Sequence, residues 1–170
     1  MPRWILYDYK WEYHSSAYAS AVETHDLTQI IHHYNNRVQR VIFKPIHKTL
    51  DEFDNFCRVC YQFQNLMIVI EEVDQFATSY FCPSNLKVLL DVGRMKGLGL
   101  YLTARRTKRV NPDIISNANH VIVFRQIRPE DLEYLRSYIG DAVQQLPDAP
   151  QYYFVWYNDY TGQAQLMQKI

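Results

Sequence analysis

The sequence predicts an α/β domain built on a mainly parallel sheet flanked by helices. Short apolar runs of strand length alternate with amphipathic stretches along almost the whole chain, as in successive βα units. One run, Leu66-Met67-Ile68-Val69-Ile70, is continuously apolar, which suits a strand buried on both faces. The chain has 170 residues, 48% apolar and 21% charged, which is enough to close one core. A single domain over residues 1–170 is the economical expectation.

Residues 3–7 (R-W-I-L-Y) read as a buried strand ending at Asp8, and D-Y-K-W-E-Y-H then sets Asp8, Lys10 and Glu12 on a loop. Residues 15–22 are small and weakly patterned. Residues 26–34 carry Leu27, Ile30, Ile31 and Tyr34 at helical spacing, and Asn35-Asn36 ends that helix. Residues 41–44 (V-I-F-K) form a strand stopped by Pro45. Thr49-Leu50-Asp51-Glu52 is a capping box. Its helix aligns Phe53, Phe56, Cys57, Cys60 and Tyr61 on one stripe that must face the core.

Asn65 closes that unit and residues 66–71 form the apolar strand. Ser84 is expected to cap the next helix, with Leu86, Leu89 and Leu90 inward and Gly97 at its end. Residues 98–103 (L-G-L-Y-L-T) are a strand followed by the basic loop A-R-R-T-K-R. Asn111-Pro112-Asp113 caps a short helix. Residues 120–124 (H-V-I-V-F) form a strand, and Pro129-Glu130-Asp131 opens a helix with Leu132, Leu135 and Ile139 inward. Pro147 and Pro150 stop it. Residues 152–157 are a strand, residues 159–162 a turn, and residues 163–167 an edge strand.

Bulk properties exclude some functions. The formal net charge is zero, so the chain as a whole is not an electrostatic nucleic-acid binder, and any such contact needs a local patch. No apolar run approaches the roughly 18 residues of a membrane span. Met1-Pro2-Arg3-Trp4 leads straight into a strand, without the look of a signal peptide. Three cysteines suit a reducing compartment, so a cytoplasmic location is expected.

The chemistry centres on Glu71 and Glu72, which follow the apolar strand without a spacer. Ligands of open α/β sheets gather at the carboxyl ends of strands. An acid pair there can give one carboxylate to a nucleotide's magnesium and the other to the attacking water. The plainer alternative is a strand running out into a solvated acidic turn. Thr103 ends the strand at 98–103, with Arg105 and Arg106 just beyond. A hydroxyl there can sense a γ-phosphate and an arginine can stabilise phosphoryl charge, in its own subunit or across an interface; the alternative is a solvated basic loop. The wider cluster of Arg94, Lys96, Arg105, Arg106, Lys108 and Arg109 can contact phosphates of double-stranded DNA or simply be surface.

Other motifs are weaker. Cys57-Arg58-Val59-Cys60 matches C-x-x-C, but both sulfurs sit on the apolar stripe, so core packing is expected. His32-His33 and the remaining histidines lack metal-site spacing. Gly97-Leu98-Gly99 precedes a strand and is not a dinucleotide fingerprint. No G-x-x-x-x-G-K-[ST] occurs among the 170 residues, which contain only five glycines.

The order of these pieces resembles the FtsK/HerA-type branch of RecA-like P-loop ATPases, including phage and viral DNA-packaging and zonula-occludens-toxin-like members. The resemblance covers about residues 4–139. Where the family often has D-P-K-G-E-Y, this chain has Asp8-Tyr9-Lys10-Trp11-Glu12-Tyr13. Where the Walker B strand usually ends D-E, it has Ile70-Glu71-Glu72. Where the family has T-Q-R-P or a variant, it has Thr103-Ala104-Arg105-Arg106, and P-D-I-I-S-N-A-N-H-V-I-V follows at 112–123.

The resemblance implies a RecA-like core, N-terminally incomplete because Walker A is missing, of a phage or viral motor that translocates or packages DNA. It implies ATP and Mg2+, a homo-oligomeric ring in the intact form, double-stranded DNA as partner, and a place in the host cytoplasm or virion. Glu71 would be the metal acid and Glu72 the catalytic base. Thr103 and Arg105 or Arg106 would be sensor or finger residues, and Asp8 and Lys10 would lie toward the nucleotide. Glu71 departs from the family's aspartate, and Ala104 or Arg105 from its glutamine. Without the phosphate loop, ATP affinity should be poor and the sheet should show a gap or an exposed edge. The second reading is a catalytically inactive, degenerate P-loop domain acting as an assembly module. A nuclease finds little support, because no further acidic or histidine group joins the pair.

Overall fold

The computed structural model describes residues 3–18 and 20–168. Met1 and Pro2, part of the leader argument, and Ala19, within the weakly patterned stretch, lie outside the described residues. The chain divides into two compact units, Met1–Arg105 and Arg106–Ile170.

The first unit holds strands β1 (Trp4–Tyr7), β2 (Ala21–Thr24), β3 (Arg40–Phe43), β4 (Leu66–Ile70) and β5 (Leu98–Leu102), with helices α1 (Leu27–Asn35), α2 (Leu50–Cys60) and α3 (Ser84–Val92). Its strands form one five-stranded sheet in the order β2-β3-β1-β4-β5, every pair parallel. The mainly parallel α/β architecture expected from the sequence is therefore present. The chain starts at the centre, moves out to β2, and then steps back across the sheet through α1, α2 and α3 to β5. Those three steps run the same way, so right-handed crossovers put all three helices on one face. α2 packs between α1 and α3. From that face Phe53 and Phe56 meet Tyr7 of β1, with ring centroids 5.2 and 4.9 Å apart. Ile68, Ile70, Leu86 and Leu89 complete this core, each contributing about 1.5–3 kcal/mol on burial.

The other face is covered unevenly. Leu6 pairs in register with Ile42 and Val69, and Val69 with Tyr101, so all four side chains share it. Leu6 and Ile42 are buried, Val69 and Met67 are half-buried, and Tyr101 on the edge strand is 56% exposed.

Local signals explain most boundaries. Thr49 Oγ1 accepts the Glu52 amide at 3.2 Å, as a capping box requires. The Glu52 carboxylate reaches further back than the cap and accepts the amides of Ile46, His47 and Lys48. Ser84 does not cap α3. It is the first helical residue, and Asn85 ties the helix start to Asp54 through its amide at 2.9 Å. Gly97 has φ +70°, and a Cβ there would meet Asn65 Oδ1 at 2.4 Å, so the turn into β5 needs glycine. β2 was not foreseen: A-V-E-T is four residues long and contains a glutamate.

In the second unit, β6 (His120–Phe124), β7 (Phe154–Asn158) and β8 (Gln163–Met167) form an antiparallel sheet, with α4 (Pro112–Ser116) and α5 (Pro129–Ile139). The strand–helix alternation does not continue the parallel sheet here: β7 runs antiparallel to β6 across α5, and the short turn between β7 and β8 can join only antiparallel strands. Val123 and Val155 pack on Leu135 and Ile139 of α5, while Ile122 and Phe124 on the alternate face are 47% and 60% exposed. Among the described residues, no helix is long and apolar enough to cross a membrane.

Candidate active site

The loop after β1 is shaped by Asp8, whose carboxylate accepts the amides of Glu12 at 3.1 Å and Tyr13 at 3.0 Å. Trp11 lies within this loop at φ 64°, its indole N–H donating to the Pro45 carbonyl at 3.0 Å. Asp8 is thus a buried organiser of the loop, and Lys10 is the residue the loop delivers. A second anchor was not foreseen. The Lys44 ammonium, buried at the end of β3, meets Glu23 of β2 at 2.7 Å, and Glu23 also accepts the Ser15 amide. These bonds hold the Glu23 carboxyl down at about 2. No local motif announces this clamp, because its members come from three separate segments.

Beyond β4 the chain turns sharply at Glu72, which has φ 51° and ψ 50°. Left-handed backbone costs a non-glycine residue about 1–2 kcal/mol, so neighbouring bonds must hold the turn. Thr103 supplies two of them. Its hydroxyl oxygen accepts the Glu72 amide at 3.2 Å, and its carbonyl accepts the Val73 amide at 2.9 Å. The Thr103 amide in turn donates to the Ile70 carbonyl at 3.0 Å. The ends of β4 and β5 are stitched together around the acid pair.

The Glu72 carboxylate, buried to 7% exposure, is held by two cations. Lys10 reaches it from the β1 loop, and Arg105 Nε lies 2.5 Å from its Oε1. The Arg105 amide points to Asp74 Oδ1 at 3.4 Å. Glu71 stands in a different environment. Burial, then the charges of Asp8 and Glu12, push its carboxyl above the usual range, partly offset by the amide and charge of Lys10. Its Oε2 is buried and accepts no hydrogen bond among the described residues.

The structure therefore brings Asp8, Lys10, Glu71, Glu72, Thr103 and Arg105 to the carboxyl ends of β1, β4 and β5. Arg106 belongs to the second unit, where it pairs with Asp131 at 3.3 Å and Glu130 at 3.6 Å at the start of α5. The basic cluster read from the sequence is divided as well. Arg94 and Lys96 precede β5 and Arg105 follows it, so about 16 Å of strand separates them. Lys96 is occupied with the carbonyl and ring of Tyr61. Cys57 and Cys60 are buried in α2, with both thiols pushed up by burial, in keeping with core packing.

Comparison with known proteins decides the fold family. Structures of the genome packaging NTPase B204 from Sulfolobus turreted icosahedral virus 2, in complex with AMPPCP and with ATP-gammaS, superpose with TM-scores of 0.84 and 0.85. Both are 19% identical and match 99% of this chain and 83% of that one. The chain shares the fold of this packaging NTPase, a RecA-like P-loop NTPase fold. No family model matches it. Two relatives from Methanocaldococcus jannaschii fit the assignment. A probable helicase, MJECL08, is 26% identical over 133 residues, and a probable DNA double-strand break repair helicase, HerA, is 39% identical over 44 residues. The chain spans only 24% and 9% of their lengths.

Magnesium is the metal that a P-loop NTPase fold implies, and Glu71 is the residue present that fits it. Glu71 offers a buried, unpaired oxygen beside other carboxylates, a setting that a cation would relieve. The described residues contain no cluster of three or more His, Cys, Asp or Glu able to hold a metal alone. Mg2+ typically takes one or two carboxylates and completes its shell with phosphate oxygens and water.

Proposed function

We propose that this chain is the catalytic half of an ATPase that packages or translocates DNA, its phosphate-binding loop lying outside these 170 residues. The observation that carries the reading is the Glu72 carboxylate, held by Lys10 and Arg105 and strapped by Thr103 at the carboxyl ends of β1, β4 and β5. The viral packaging fold and the HerA-like relatives support it.

In this mechanism Glu71 would hold Mg2+, which would supply positive charge to the phosphates of the nucleotide. Glu72 is the base that orients and deprotonates the attacking water. It is inactive while both cations hold it. Lys10 and Arg105 would pair instead with the oxygens of a triphosphate, leaving the Glu72 carboxylate to take the water. Thr103 keeps the turn in place and turns its hydroxyl toward the same site. Arg105 faces the acid pair and is the better choice as charge-stabilising arginine than Arg106, which α5 already neutralises. Double-stranded DNA and a homo-oligomeric ring complete the motor, in the host cytoplasm or the virion.

The test is steady-state ATP hydrolysis with Mg2+, with and without double-stranded DNA, by the product of the uninterrupted reading frame. Turnover stimulated by DNA is expected there, and almost none from the 170-residue chain alone. Robust turnover by the short chain would contradict the assignment of the phosphate loop to another segment. A reading frame whose whole product neither binds nor hydrolyses ATP would favour the degenerate assembly module.

A further inference from the structure

We propose that the outward face of the β6–β7–β8 sheet binds a proline-rich segment of a partner protein in the extended polyproline II form. The inference concerns the second unit alone and does not rest on the ATPase reading.

The pleat decides what this face presents. Successive side chains of a strand point to opposite sides. Val123 and Val155 point inward onto Leu135 and Ile139. His120, Ile122 and Phe124 of β6 therefore point outward. Register sets Trp156 opposite Ile122 and Phe154 opposite Phe124, with Gln165 of β8 beyond Trp156. The solvated face of an antiparallel sheet is ordinarily polar. Here Ile122 and Phe124 are exposed, and Phe154 and Trp156 are half-buried.

The rings gather into two clusters. His120 stacks on Trp156, with centroids 5.7 Å apart and planes inclined by 29°. Tyr160, in the turn after β7, stands edge-on to His120 at 6.3 Å. Phe124 and Phe154 make the second cluster, with centroids 5.6 Å apart. Ile122 lies between the two clusters on β6. His120 and Phe124 are four residues apart on one strand, which is about 13 Å. A polyproline II segment rises about 3.1 Å per residue, so roughly four of its residues bridge the clusters.

Hydrogen-bond donors stand beside the rings. Trp156 carries an indole N–H, and Gln165, its cross-strand neighbour, carries a side-chain amide. Neither side chain makes a hydrogen bond among the described residues. A polyproline II segment has no internal hydrogen bonds, so its carbonyls are available to such donors.

Charge and size select this occupant. None of the outward residues is an acid, a lysine or an arginine. Arg125 follows β6 at one end of the face and Asp159 follows β7 at the other, so no cationic track runs along it. Single-stranded nucleic acid could stack its bases on the rings, but its phosphates would find no neutralising groove. A second copy of the chain needs more area. Three strands of five residues make a face of about 14 by 17 Å, whereas a stable interface buries about 800 Å² per partner. A narrow, neutral segment with apolar rings satisfies both limits. Aromatic-lined surfaces are the usual seat of proline-rich chains, whose preformed helix costs little entropy to bind.

The test titrates decaproline into the 170-residue chain and follows the indole N–H signals of the three tryptophans by NMR, with Trp156→Phe to assign one of them. Proline has no N–H, so this probe cannot build a strand ladder on the edge of β6 or β8 and reports the face. The Trp156 signal should move saturably while those of Trp4 and Trp11 stay still. Phe124→Ala should weaken binding about tenfold and Gln165→Ala about threefold. Both should melt like the parent, because both side chains face water. An unmoved Trp156 signal would overturn the proposal. Equal affinity for a glycine–serine peptide of the same length would also overturn it, as would tighter binding of oligothymidylate or a decaproline affinity that Phe124→Ala leaves intact. Self-association without peptide, seen by sedimentation and lost in Phe124→Ala, would give the face to a second copy instead.

Discussion

The hydroxyl oxygen of Thr103 accepts the backbone amide of Glu72 at 3.2 Å, and this bond holds a left-handed turn that a glutamate would not adopt unaided. The acid pair therefore depends on the neighbouring strand for its direction. Thr103→Val keeps the shape but removes the acceptor, leaving a partly buried amide unpaired at about 1–2 kcal/mol. Thermal unfolding should fall by several degrees. Thr103→Ser should restore it, and a Thr103→Val protein that melts like the parent would show that the turn is held by other bonds.

Glu71 gives opposite pH signs for binding and for folding. Its carboxyl is pushed above the usual range, chiefly by burial and then by Asp8 and Glu12. The folded chain therefore keeps that proton to higher pH than the unfolded one. Its stability contribution is full below the unfolded value, 4.5, and is lost as pH rises through the folded value. Mg2+ needs the carboxylate, so affinity measured by titration calorimetry with nucleotide present should weaken on acidification from above the ordinary carboxylate range. Glu71→Gln should abolish both dependences.

The Glu23 carboxyl behaves in the opposite way. Lys44 and the Ser15 amide hold it at about 2, below its ordinary 4.5. Its contribution to stability is present above pH 4.5 and disappears as pH falls toward 2. In acid titrations followed by circular dichroism, Glu23→Gln should flatten this limb and lower stability at neutral pH by leaving the buried Lys44 ammonium without its counter-charge. An unchanged acid limb would show that other carboxylates govern it.

Tyr7 buries a polar atom in an aromatic core. Its hydroxyl is buried without a partner among Phe43, Phe53, Phe56 and Phe76, and burial pushes the phenol far up. Tyr7→Phe removes an unsatisfied polar group and keeps the ring. It should leave the melting temperature unchanged or raise it, by up to about 1 kcal/mol of stability. A clear drop would mean that the hydroxyl has a partner in solution.

What the sequence disclosed follows from how local each signal is. β4 and α2 were readable because a continuous apolar run and a one-sided aromatic stripe are properties of ten neighbouring residues. The ends of β1, β4 and β5, with Asp8, Glu71, Glu72 and Thr103, were placed for the same reason. β2 escaped because four residues with a glutamate fall below any periodic signal. The clamp of Lys10 and Arg105 on Glu72 also escaped, since sheet order and not spacing makes them neighbours. Proximity along the chain misled in the opposite sense for Arg94 and Lys96, which β5 separates from Arg105, and strand–helix alternation misled for β6 to β8, which pair antiparallel.

The central claim is that Glu72 is the base of an ATPase. It is tested most directly by Glu72→Gln in the product of the uninterrupted reading frame, with nucleotide affinity and turnover measured side by side. ATP binding should persist while turnover falls by about 100-fold or more, the usual share of a positioned base. Turnover equal to the parent's would contradict the account.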